Sequence, residues 1–167
     1  MRHTISVLVE NKFGVLSRIS GLFSGRGYNI ESLSVGETIE SDVSIMTIVT
    51  RGDDGIIEQI TKQLNKLIDV IRVVDFMEVE HVEREMVLVK IAPKKEERPD
   101  ALRISEIFRG RIVDSGHRTY TIEITGDENK IEAFIELMKP YGIKEFVRTG
   151  KVAIARGRNK KEIRFLA

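Results

Sequence analysis

The sequence predicts an α+β chain of two βαββαβ modules, residues 1–79 and 80–167. Three observations carry this. Over the first half, apolar residues switch between strand and helix periodicity in the order β-α-β-β-α-β. The same order recurs over the second half. Short segments also echo between the halves: Leu22-Phe23-Ser24-Gly25-Arg26 parallels Ile107-Phe108-Arg109-Gly110-Arg111, and Thr47 to Asp53 parallels Thr121 to Asp127. That element order is the split βαβ, or ferredoxin-like, arrangement.

Each element has its own signal. Residues 5–9 are an apolar strand. Val15, Leu16, Ile19, Leu22 and Phe23 fall on one helical face. Asn11 is placed to cap that helix, and Gly25-Arg26-Gly27 stops it. Residues 29–37 and 43–50 read as strands around a polar turn at 38–42. The second of these is apolar on both faces, as a central strand or an oligomer interface requires. Gly52 to Gly55 turns into a helix marked by Ile56, Ile60, Leu64 and Leu67, and residues 70–79 read as the fourth strand. In the second half, strands are expected at 86–91, 111–115 and 119–125, with a final strand at 143–149 or 152–155. Helices are marked by Ala101, Leu102, Ile104, Ser105 and Phe108, and by Ile131, Phe134, Ile135 and Met138.

Composition narrows the function classes. Net charge is +1, from 27 basic and 26 acidic residues, so nothing drives binding to nucleic acid or an anionic membrane. There is no cysteine, hence no disulfide, thiolate nucleophile or Cys metal site. No long apolar run or signal-like segment is present, which points to a cytoplasmic protein. His3, His81 and His117 lack ligand spacing. Ser17, Ser20 and Ser24 share a helix with no histidine near, so no hydrolase triad is expected. Gly25-Arg26-Gly27 ends a helix and is not a phosphate loop. Aromatics are 6% of residues, too few for the stacking sheet of an RNA-binding module. Glu83 and Glu85 read as surface carboxylates. The basic tail, Arg156, Arg158, Lys160, Lys161 and Arg164, reads as a solvated end.

Asn11, Gly14 and Asn29 are where strand, turn, helix and return strand are expected to meet. A helix N-terminus near an asparagine suits a small carboxylate. Turn chemistry alone explains the same residues: Asn caps, Gly relieves crowding, and Asn tolerates unusual angles.

These residues also carry a resemblance. Asn11-x-x-Gly14-Val15-Leu16-Ser17-Arg18, Gly25-x-Gly27-Tyr28-Asn29-Ile30-Glu31-Ser32-Leu33, His81-Val82-Glu83-Arg84-Glu85 and Glu106-Ile107-Phe108-Arg109-Gly110 resemble the regulatory small subunit of acetolactate synthase. That family opens with an ACT domain, a module that binds amino acids. The resemblance implies an amino-acid-binding, dimerising ACT domain at 1–79 and an ACT-like regulatory domain at 80–167. It implies a non-catalytic chain that activates a catalytic large subunit and confers feedback inhibition by valine. Thiamine diphosphate, Mg²⁺ and FAD are expected in the large subunit and none in this chain. Valine is expected between two ACT domains joined sheet to sheet. Backbone amides of Gly14, Val15 and Leu16 would take its carboxylate. Asn11 of one chain, with Asn29 and Ile30 of the other, would fix its polar end, and Leu16, Ile30 and Val35 would line an aliphatic pocket. The alternative is a stand-alone ACT-type amino-acid sensor or transcriptional regulator, although no helix-turn-helix is visible.

Overall fold

The computed structural model describes residues 1–157. Of the basic tail, Arg156 is exposed, whereas Arg158, Lys160, Lys161 and Arg164 lie outside the described residues.

The first module runs β1 (Arg2–Glu10), α1 (Val15–Gly25), β2 (Ile30–Glu37), β3 (Val43–Arg51), α2 (Asp54–Leu64) and β4 (Val70–Asp75). Its strands form an antiparallel sheet in the order β2-β3-β1-β4. Register fixes the buried face, because side chains alternate along a strand. Met46 lies opposite both Val7 and Val35, and Val7 also lies opposite Val73. Ile5, Val7, Val9, Met46 and Ile48 form one core with Val15, Ile19 and Phe23 of α1 and Ile57, Ile60 and Leu64 of α2. Asp53 caps α2, its side chain accepting from Ile56 N at 2.8 Å. Leu67 falls beyond the end of α2 yet still packs on this core.

β3 lies between β1 and β2, as a central strand does, and Met46 and Ile48 on one face and Thr47 and Val49 on the other are buried, so neither face gives an argument for an interface. Among the described residues β2 and β4 are the edge strands. One expectation changes here. The fourth strand stops at Asp75, short of residue 79. Asp75 Oδ1 accepts from Met77 N at 3.0 Å, which starts a 3-10 turn, Phe76–Glu78, and its Oδ2 lies 2.9 Å from Nδ1 of the buried His3.

The second module repeats the plan with β5 (His81–Ile91), α3 (Arg98–Ile107), β6 (Arg111–Ser115), β7 (Tyr120–Gly126), α4 (Glu128–Met138) and β8 (Ile143–Arg148). The order β6-β7-β5-β8 matches the first sheet strand for strand. Val87, Val89, Ile91, Ile122 and Ile124 face Ala101, Ile131, Phe134 and Met138 in its core. Asp127 caps α4 through Lys130 N at 2.9 Å, as Asp53 caps α2. Both modules are ferredoxin-like; Thr47 to Asp53 and Thr121 to Asp127 each run from a strand to the N-cap of the next helix, whereas Leu22 to Gly25 lies within α1 and Phe108 to Gly110 lies past the end of α3.

β5 begins at His81, five residues earlier than expected, so Glu83 and Glu85 lie within a strand. Glu85 is not a surface carboxylate. It is only 6% exposed and pairs with Arg148 at 3.2 Å. Segments 143–148 and 152–155 are both strands, and the latter, β9 (Val152–Ala155), pairs with β5. Arg156 N donates to Glu80 O at 2.8 Å, and Lys151 N lies 3.4 Å from Ser32 Oγ. By packing, the chain divides into Met1–Val82 with the described residues from Lys151, and Glu83–Gly150, where the sequence reading places one cut after residue 79.

Candidate functional site

The turn between β1 and α1 is built around Gly14, whose φ of 84° is left-handed, a region glycine enters without a steric penalty. A Cβ placed there would meet nothing within 4 Å, so the space above it is open. α1 differs from α2 and α4 at its N-terminus: it has no side-chain cap and no acid in its first turn. Val15 N makes only a long 3.4 Å bond, to Lys12 O. Unsatisfied first-turn amides and the helix dipole together favour an anion.

Asn11 is not the cap expected of it. Its Nδ2 donates to Glu37 Oε1 at 3.1 Å and to Ser41 O at 2.9 Å, and its backbone N donates to Asp42 O at 2.7 Å. Asn11 instead ties the turn to the end of β2 and the loop after it. Lys12, the cation nearest Gly14 in sequence, is engaged: its Nζ lies 2.6 Å from Glu10 Oε2, and that hydrogen bond holds its pKa above the usual lysine value.

The candidate residues separate into two groups. Asn11, Gly14, Val15, Leu16 and Val35 belong to one end of the module. Val15 is buried in the core, so only its backbone is available; Leu16 is 43% and Val35 46% exposed. Val35 lies on the helix-covered face, through its register with Met46, and two residues from the Glu37 that holds Asn11. Asn29 and Ile30 stand at the other end of β2, past the C-terminus of α1. Eleven residues of α1 separate the ends by about 16 Å at 1.5 Å per residue. Asn11, Gly14 and Asn29 therefore do not meet within one chain: α1 carries the chain away from Gly14 before β2 starts. Asn29 O accepts from Thr50 Oγ1 at 2.7 Å, while its exposed side chain makes no hydrogen bond among the described residues. Ile30 packs half-buried on the first core.

Sequence reasoning missed Glu31. It sits where the register of β2 shifts and pairs with Arg2 at 2.8 Å and with Arg51. Arg2 and Arg51 are direct cross-strand partners, and like charges so placed need an anion between them. Only the register reveals that need. Two clefts of this module lie elsewhere, one beside His3 and Asp75, the other between Gly21 of α1 and Gln63 of α2. No group of three or more His, Asp or Glu among the described residues is placed to hold a metal ion, and no helix there is long and apolar enough to cross a membrane.

Comparison with known proteins gives these features a class. Residues 5–72 match the family described as the AHAS small subunit-like ACT domain, so the first module is an ACT domain. Residues 84–157 match the family described as the small subunit of acetolactate synthase. The chain is 57% identical over 162 residues to the acetolactate synthase small subunit of Aquifex aeolicus, covering 96% of this chain and 84% of that one. It is 56% identical over 161 residues to a probable acetolactate synthase small subunit of Archaeoglobus fulgidus, covering 96% and 100%. The crystal structure of the acetolactate synthase small subunit of Thermotoga maritima superposes with a TM-score of 0.85 at 42% identity, over 93% of this chain and 98% of that one. The chain belongs to the acetolactate synthase small-subunit family. That membership supports a regulatory role beside a catalytic large subunit in the acetolactate synthase complex.

Proposed function

We propose that this chain raises the activity of the acetolactate synthase large subunit and makes it sensitive to valine. The thiamine diphosphate, Mg²⁺ and FAD of the reaction belong to the large subunit on this reading. The observation that carries it is the uncapped, acid-free start of α1 below the open space at Gly14. A valine carboxylate there would accept from the amides of Gly14, Val15 and Leu16, with no lysine or arginine needed.

The ammonium and side chain need a second copy of the chain. β2 is a free edge. If two β2 strands pair antiparallel about a twofold axis near mid-strand, each runs opposite to its partner. Asn29 and Ile30 of one protomer then approach the Val35 and Gly14 end of the other. This supports a site of Asn11, Gly14, Leu16 and Val35 from one chain and Asn29 and Ile30 from its partner. An aliphatic pocket of this kind separates side chains differing by one methylene by only about 1–3 kcal/mol. Feedback follows if valine binds one assembly state better than another, since a ligand shifts an equilibrium only by its differential affinity.

The test is reconstitution with the large subunit. The chain should raise acetolactate formation, and L-valine should lower it again. No activation, or activation that valine leaves untouched, would refute the corresponding half of the proposal.

A further inference from the structure

We infer that the loop end of the ACT module is its docking face for the large subunit, an apolar ridge beside uncompensated carboxylates. The inference rests on the family reading above and adds the surface and its chemistry. Glu10 lies opposite Val43, Glu37 opposite Ser44, and Val9 opposite Val70. The connections at 11–14, 38–42 and 65–69 therefore emerge at one end of the sheet. Each presents one large apolar side chain to solvent: Phe13 is 103%, Ile39 90% and Ile68 94% exposed. A single exposed apolar residue is ordinary, but one on each of three adjacent turns is not. The strand order places them across the end of the sheet, over β2–β3, β1 and β4, a span of about 15 Å at 4.8 Å per strand.

The turns are held together. Asn11 bonds to Ser41 O and Asp42 O, Glu10 N donates to Asp69 O at 2.9 Å, and Arg18 pairs with Asp69 at 2.7 Å. A surface fixed in this way can dock with little ordering cost.

Charge selects the occupant. Lys12 is taken by Glu10 and Arg18 by Asp69, and Lys66 stands exposed beside Ile68 at the far end of the ridge. Glu37, Glu40 and Asp42, on either side of Ile39, have no cation paired with them among the described residues. A second copy of this face would set carboxylate against carboxylate in a twofold contact, and an anionic membrane or nucleic acid would be repelled. The partner that fits is an aliphatic recess edged with lysine or arginine. Membership of a small-subunit family implies one protein partner, the catalytic subunit. The face also shares the 11–14 turn with the proposed carboxylate site, so a ligand at Gly14 would adjoin the docking surface.

Ile39→Ser/Ile68→Ser and Glu40→Lys/Asp42→Lys test this. Affinity for the large subunit, sedimentation of the small subunit alone and valine binding are measured for each and for the unaltered chain. Both variants should lose at least tenfold in subunit affinity, and the lysine variant should also lose the salt dependence of binding. The mass of the free small subunit and its valine binding should not change. Unchanged subunit affinity in both variants overturns the docking face alone. Loss of self-association overturns it in favour of a contact between copies. An unaltered chain that fails to bind the large subunit overturns the family reading as well.

Discussion

A glycine is required at position 14 for two separate reasons. Its backbone is left-handed, and its missing side chain leaves the start of α1 open. Gly14→Ala adds only the first penalty, about 1–2 kcal/mol of left-handed strain, which for a chain of this size lowers the melting temperature by about 2–8 °C. Gly14→Asp adds a negative charge where the ligand's carboxylate would sit; two such charges about 4 Å apart repel by about 1 kcal/mol in water and several times that in a partly dry site. Both variants should melt alike, while Gly14→Asp loses the valine response and Gly14→Ala keeps part of it. Calorimetric valine titration beside a melt separates them. Asn29→Ala should leave the melt unchanged, since its side chain makes no hydrogen bond among the described residues, yet weaken valine binding by about twofold to tenfold for each hydrogen bond lost, at about 0.5–1.5 kcal/mol each. The sequence marked these residue types but not their partners. Asn11 has the composition of a cap, and only the pairing of β2 with β3 shows that Glu37 and Ser41 are within its reach. Glu85 looks like a solvated carboxylate until β8 delivers Arg148 beside it.

Among elements, α1 begins differently from α2 and α4, and that difference is measurable. Asp53→Ala and Asp127→Ala each remove an N-cap, and each should cost about 0.5–2 kcal/mol in urea denaturation. The two losses should be similar, because the two aspartates occupy equivalent places in duplicated modules. Asn11→Ala removes no cap from α1; its cost is the tie between the 11–14 turn and the loop after β2. Periodicity made the helices legible, because each buries one face. It was silent where local hydrogen bonding prevailed. Residues 76–79 continue the apolar run of β4, but the Asp75 carboxylate captures Met77 N and ends the strand. It also could not tell a central strand from an interface strand. β3 is apolar on both faces in either case, and only the order β2-β3-β1-β4 places it inside.

For the whole molecule, the proposed effector site exists only when two chains combine. The free chain should sediment as a dimer or larger at micromolar concentration. L-valine should raise its melting temperature without the large subunit, by a stabilisation of about 2.7 kcal/mol at a hundredfold excess over Kd. D-valine should not, because carboxylate, ammonium and side chain are placed together. The most direct test mixes two broken chains. Gly14→Asp and Asn29→Ala homodimers should each bind valine severalfold more weakly than the wild type. Unfolded together and refolded, they form heterodimers in which one site joins the intact Gly14 turn to the intact Asn29. Random pairing puts half the chains in heterodimers with one good site of two, restoring about a quarter of the wild-type stoichiometry. Calorimetry of the refolded mixture should recover that fraction at wild-type affinity. No recovery, with heterodimers shown to be present, would contradict a site shared between chains.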